Sequence, residues 1–135
     1  LHDYLNTLPL PKLTCQQTKY IDSTITQYEK AEAIQSLPLG LKKSPGPDGL
    51  TAEFYKQFVD VLAPRLTEVF NSTLEEETPL IPSSCYRAII TLILMDGKDT
   101  YSYESYTPIS LINTDTKIVS IVLANRLIKL ITSLT

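Results

Sequence analysis

Histidine and tryptophan are the first things this chain lacks: its 135 residues contain one His, no Trp and two Cys. His2 stands alone, and Cys15 and Cys85 lie far apart outside any C-x-x-C spacing. The sequence therefore offers neither the ligand set of a zinc site nor a histidine-activated nucleophile, and Ser44, Ser110 and Ser120 have no base to work with. Walker and Rossmann glycine patterns are missing as well. Positive charge is short: 12 Lys and Arg stand against 15 Asp and Glu, a net charge of −3 with a pI near 5.1. That is the wrong sign for a nucleic-acid binder judged as a whole, so any such contact has to come from a local basic patch. No apolar run approaches the roughly 18 residues of a membrane span, and Leu1-His2-Asp3-Tyr4 lacks the charged and apolar regions of a secretion signal. An intracellular chain, cytoplasmic or nuclear and with no membrane partner, is expected. Its start at Leu1 rather than Met suggests a piece of something longer.

What is present is ordinary globular material, 43% hydrophobic and 20% charged, which argues against global disorder. The most constrained stretch is Lys42-Lys43-Ser44-Pro45-Gly46-Pro47-Asp48-Gly49. Two prolines fix φ near −65° while two glycines open positive φ, so Pro45, Gly46, Pro47, Asp48 and Gly49 make a rigid, shaped loop. Pro47-Asp48-Gly49 suits a tight turn in which Asp48 bonds back to its own backbone. Two readings of the loop stand: a plain helix-to-helix connection, or a platform on which Lys42 and Lys43 face an anionic partner, most plausibly a phosphate backbone.

Residues 1–24 show no sustained period, with Leu8-Pro9-Leu10-Pro11 extended, and read as a loosely structured lead-in. From residue 25 the pattern changes. Thr26 and Glu29 form a capping box, and Tyr28, Ala31, Ile34 and Leu37 recur at helical spacing, predicting a helix over Gln27–Ser36. Thr51 is placed to cap a second helix running to about Val61, and Pro64 to start a third running to about Glu76 with a stripe of Leu66, Val69, Phe70 and Leu74. The acidic Glu75-Glu76-Glu77 opposes the helix dipole and is read as a frayed, solvated end. Tyr86–Met95, apolar on both alternating faces, predicts a central strand covered on both sides. Asp96-Gly97 signals a turn, after which either a tight hairpin or, preferably, a longer excursion brings the chain back at Tyr106–Leu111, with Pro108 at a strand end or edge. Asp96 and Asp99 flank that turn and read as solvated. Asn113 or Asp115 caps a last helix with Ile118, Ile121, Val122, Asn125, Ile128 and Ile131 on one face. That helix is apolar enough to leave part of itself exposed, waiting for a partner domain. The fold class is α+β.

Four blocks carry a resemblance: Lys42–Gly49 running into Leu50-Thr51-Ala52-Glu53-Phe54-Tyr55, Ile89-Ile90-Thr91-Leu92-Ile93, Pro108-Ile109-Ser110-Leu111, and Leu123-Ala124-Asn125-Arg126. In this order and spacing, over roughly residues 20–131, the chain resembles the reverse transcriptase of LINE-type (non-LTR) retrotransposons. The resemblance implies the helix-rich fingers part of a right-hand polymerase with a small antiparallel β pair, occupying residues 25–135, with palm and thumb absent. It implies an RNA template and a DNA primer as partners, together with the missing palm. The aspartates that hold magnesium in the complete family enzyme lie in Phe-x-x-Asp and Ala-Asp-Asp blocks, and this sequence contains neither, so no catalytic residue, metal ligand or cofactor is assigned to it. Inside the matched region the family places Lys two positions before the hairpin glycine and Arg before Pro-Ile-Ser-Leu; here Met95 and Thr107 stand there, a degenerate nucleotide site with Lys98 the one cation nearby. The expected function is a polymerase fragment contributing template and nucleotide contacts, inactive alone; the alternative is a non-catalytic helical binding or structural module that keeps the fold.

Overall fold

A computed structural model describes residues 12–40, 44–75 and 82–134. Among these, five α-helices accompany one two-stranded antiparallel sheet: α1 (Cys15–Asp22), α2 (Gln27–Ser36), α3 (Ala52–Gln57), α4 (Val59–Glu75), β1 (Ala88–Leu94), β2 (Tyr106–Ile112) and α5 (Thr114–Leu134). Short 3₁₀ turns precede each strand, at Ser83–Tyr86 and Tyr103–Ser105. The expected α+β class holds.

The first helix corrects the expectation of a loose lead-in, since α1 lies within it. Thr14 and Gln17 supply a complete capping box: the Gln17 N–H donates to Thr14 Oγ1, and the Thr14 N–H donates to Gln17 Oε1 at 2.8 Å. The box is legible in the sequence, but α1 buries none of its own residues and shows no apolar period beside it. Leu8-Pro9-Leu10-Pro11 lies outside the described residues.

α2 starts where its capping box puts it. The Thr26 N–H donates to Glu29 Oε2 at 2.9 Å, and the Glu29 N–H donates to Thr26 Oγ1 at 3.2 Å. Its buried face differs from the predicted one: Lys30, Ala33, Ile34 and Leu37 are inside, and Tyr28 is in solvent. The break between the next two helices falls at Phe58 rather than before Pro64. The Phe58 carbonyl accepts from both Val61 (3.1 Å) and Leu62 (2.9 Å), starting α4 a turn and a half early. Pro64 then sits in the second turn of α4, where its missing N–H costs one bond, to Asp60. Thr51 takes the N-cap position of α3 without a side-chain cap bond. The end of the acidic triplet, Glu76 and Glu77, lies outside the described residues.

Ile25, Ala33, Ile34, Leu37, Tyr55, Ala63, Ile118 and Val122 form the core, so α2 is packed between α4 and α5. On α5 the buried positions step by four, Ile118, Val122, Arg126 and Leu130, with a charged residue in the middle of the stripe; Ile128 and Ile131, predicted on the core face, are exposed.

The sheet departs most from expectation. Its register runs from Ala88 opposite Ile112 to Leu94 opposite Tyr106, and the connection is the longer excursion. Yet β1 is exposed at all seven positions, with Ile90 at 69% and Leu92 at 62%, so the strand expected to be covered on both faces is covered on neither among the described residues. A two-stranded ribbon has only edges, which accommodates Pro108 opposite Leu92.

Candidate nucleic-acid interface

The loop from Ser44 to Leu50 is built as its residues dictate. The Gly49 N–H donates to the Gly46 carbonyl at 3.1 Å, closing a β-turn with Pro47 and Asp48 at its centre. Asp48 Oδ1 accepts from the Leu50 N–H at 3.0 Å, the backward bond expected of an Asx turn. Gly49 has φ of 74°, a conformation that other residues reach only with strain. Gly46 is required for a different reason: a Cβ there would lie 2.6 Å from Asn113 Cα.

Asn113 and Thr114, at the start of α5, hold this loop. Asn113 Oδ1 accepts from the Asp48 N–H at 3.2 Å, its Nδ2 donates to the Ser84 carbonyl at 3.2 Å, and the Thr114 hydroxyl donates to the Leu50 carbonyl at 3.0 Å. The sequence reading gave Asn113 only a capping role; nothing local in sequence announces partners this distant. Beside the loop, Ser44, Pro45, Thr51, Thr114 and Lys117 line a small pocket of about 70 Å³. Lys42 and Lys43 lie outside the described residues, so their placement against this pocket is not described.

The other predicted positions lie at the far end of the ribbon. Thr107 is directly opposite Ile93, and the Met95 N–H donates to the Ser105 carbonyl at 2.8 Å, which puts the Met95 and Thr107 side chains on one ribbon face. The Lys98 N–H closes the turn on the Met95 carbonyl at 3.2 Å. Met95, Thr107 and Lys98 are thus brought together, but the loop is not brought to them: it joins the ribbon at Asn113, beyond Ile112, a strand length of about 20 Å from the tip. The tip also carries Asp96, Asp99 and Glu104 against the single Lys98, and Tyr101 is 97% exposed.

Two buried charged groups lie outside the expected set. Arg126, 3% exposed, forms a bidentate pair with Glu29 (Nε to Oε1 2.7 Å, Nη2 to Oε2 2.9 Å) and donates to the carbonyls of Ile21, Ser23 and Thr24 at the end of α1. The guanidinium beside it holds the Glu29 carboxyl down at about 2, against the opposing effect of burial. Lys30 is fully buried with its Nζ 4.0 Å from the centre of the Phe70 ring and no hydrogen-bond partner among the described residues. Burial lowers its pKa to about 8, with Asp115, Cys85 and Glu29 opposing. Phe70 and Cys85 also line an apolar cavity of about 270 Å³ between α4, α5 and the ribbon root.

Among the described residues no group of three or more His, Cys, Asp or Glu side chains could hold a metal ion. No helix among them is long and apolar enough to cross a membrane.

Comparison with known proteins finds transposon-encoded relatives. The chain is 34% identical over 118 residues to the 149 kDa protein of transposon TX1 from Xenopus laevis, which covers 87% of this chain and 9% of that protein. It is 37% identical over 99 residues to a Drosophila melanogaster protein named "Probable RNA-directed DNA polymerase from transposon BS", covering 73% of this chain and 10% of that one. To the RNA-directed DNA polymerase from the Drosophila mobile element jockey it is 30% identical over 128 residues, 87% of this chain and 14% of the other. No family model matches. These relatives are transposon-encoded proteins of the LINE-type (non-LTR) reverse transcriptase kind, and this chain is similar to a segment of each. It spans about a tenth of the length of these relatives.

Proposed function

We propose that this chain is a fingers segment of a retrotransposon RNA-directed DNA polymerase, contacting the phosphate backbone of an RNA template and DNA primer through the Lys42–Gly49 loop and performing no polymerisation by itself. The observation that carries the reading is the tethered loop: a rigid turn led by two lysines, fixed through Asn113 and Thr114 to α5 and the ribbon root. A flexible connection would need none of these bonds. The acid surplus at the ribbon tip, with Met95 and Thr107 in place of two cations, supports weak nucleotide handling there.

Binding to a template–primer duplex should be weak and salt-sensitive, with log K falling against log salt at a slope of about −2 or shallower, as two phosphate contacts allow. Fluorescence anisotropy on a labelled RNA–DNA duplex measures this directly. Lys42→Ala with Lys43→Ala should remove most of the affinity; an unchanged affinity would return the loop to a mere connection and favour the non-catalytic structural module. Metal-dependent nucleotide incorporation by the purified chain would overturn the claim of inactivity.

A further inference from the structure

Asn113 is 2% exposed and stands where three separate stretches of chain meet: the loop at Asp48, the 3₁₀ turn at Ser84 that leads into β1, and the junction of β2 with α5. An asparagine at a helix start ordinarily turns its oxygen onto its own helix's first N–H groups. Here that oxygen accepts from Asp48 instead, while the Thr116 N–H of α5 donates to Asp115 Oδ1. The carboxamide is suited to the place because it presents a donor and an acceptor at once; aspartate offers acceptors only, and alanine neither. Gly46, pressed against Asn113 Cα, completes the fit.

We propose that Asn113 is a positioning residue that locks the Ser44–Leu50 loop to the root of the ribbon, and that duplex binding through that loop depends on the lock. The proposal rests on the reading of that loop as a phosphate contact. Locking removes an ordering cost that a free loop would meet on binding. It also makes the loop and the ribbon one rigid unit, although the contacting residues are far apart in sequence.

The test compares Asn113→Ala, Asn113→Asp and Gly46→Ala in the full chain by amide hydrogen exchange and by affinity for the labelled RNA–DNA duplex. In Asn113→Ala the Asp48 amide should exchange about tenfold faster, as expected for one lost hydrogen bond, while the core amides of Ala33 and Ile34 stay as slow as before. Asn113→Asp keeps an acceptor for Asp48 and should restore its slow exchange, yet it sets a carboxylate oxygen against the Ser84 carbonyl and should still weaken duplex binding severalfold. Gly46→Ala, which displaces the loop and leaves the carboxamide intact, should speed exchange at Asp48 and weaken binding; it carries the test should Asn113→Ala fail to fold. Unchanged Asp48 exchange in Asn113→Ala or Gly46→Ala overturns the locking. Faster exchange with duplex affinity unchanged, in a chain whose binding does depend on Lys42 and Lys43, reduces Asn113 to a structural residue and overturns the positioning role. If the parent chain binds no duplex, the phosphate-contact reading falls, and the exchange result alone decides whether Asn113 locks the loop.

Discussion

In the helical body a guanidinium, Arg126, is enclosed between α1, α2 and α5, whereas in the ribbon a run of seven residues that reads as core strand, Ala88–Leu94, stands in solvent on both faces. Polarity alone would have placed them the other way round. Arg126 is inside because every donor it uses finds a carboxylate or a carbonyl, which offsets its desolvation. β1 is outside because, among the described residues, one strand alone pairs with it and neither face is covered. Burial is decided by the partners available to a residue and only secondarily by its hydrophobicity.

Removing the partners should break the body first. Arg126→Ala takes the cationic partner from the Glu29 carboxylate, which keeps only its bonds from Thr26, and the donor from three carbonyls, and should destabilise the chain by about 3–5 kcal/mol in urea denaturation. Arg126→Lys should recover only a fraction, because one ammonium cannot replace a fork that reaches five acceptors. The same pair sets the acid limit. Glu29 titrates at about 2 folded against 4.5 unfolded, so its stabilisation is complete above pH 4.5 and is lost as pH falls from there toward 2. In Arg126→Ala that acid slope should flatten, and an unaltered slope would mean that other carboxylates govern acid unfolding.

Lys30 is the counter-example inside the body, a buried amine without a hydrogen-bond partner among the described residues. Its folded pKa of about 8 lies below the unfolded 10.5, so the folded state holds fewer protons between these values and stability should rise with pH across that window. Tyr55 acts in the opposite sense: burial first, then Asp115, pushes its hydroxyl above the ordinary 10.0, so stability should fall as pH climbs past 10. The alkaline profile is therefore expected to peak near pH 10. Lys30→Met should remove the rise and add about 1–3 kcal/mol at neutral pH, since a flexible thioether fills the space without a charge. A loss of stability instead would show that the contact with Phe70 outweighs the desolvation.

How much of this could be read from the sequence follows the range of the interaction. The capping box of Thr26 and Glu29, the turn over Gly46–Gly49 and the strand pair are local or periodic, and each lies where its residues predict. The α1 capping box was equally local but had no apolar stripe to draw notice to it. Asn113 and Arg126 could not be read, because their partners are between 29 and 105 positions away and nothing in a single sequence reports such distances. The exposure of β1 departs from expectation for the related reason that an apolar run specifies a need for cover and not its presence.

One substitution made in both regions should separate them most clearly. Ile118→Thr takes methyl surface from a fully buried position on α5 and puts a hydroxyl there, and should cost about 2–4 kcal/mol. Ile90→Thr makes the same change opposite Ser110 on an open ribbon face, and should shift stability by no more than about 0.5 kcal/mol. Its effect should appear in association. β1 is uncharged, rich in β-branched residues and free along its outer edge among the described residues, the features that invite strand-to-strand pairing between chains. Ile90→Thr together with Leu92→Thr, two neighbours on one face, should therefore lower the apparent mass in concentrated solution by light scattering while leaving the denaturation midpoint nearly in place. Should Ile90→Thr cost as much as Ile118→Thr, the ribbon is packed against a surface in solution, and the contrast between body and ribbon does not hold.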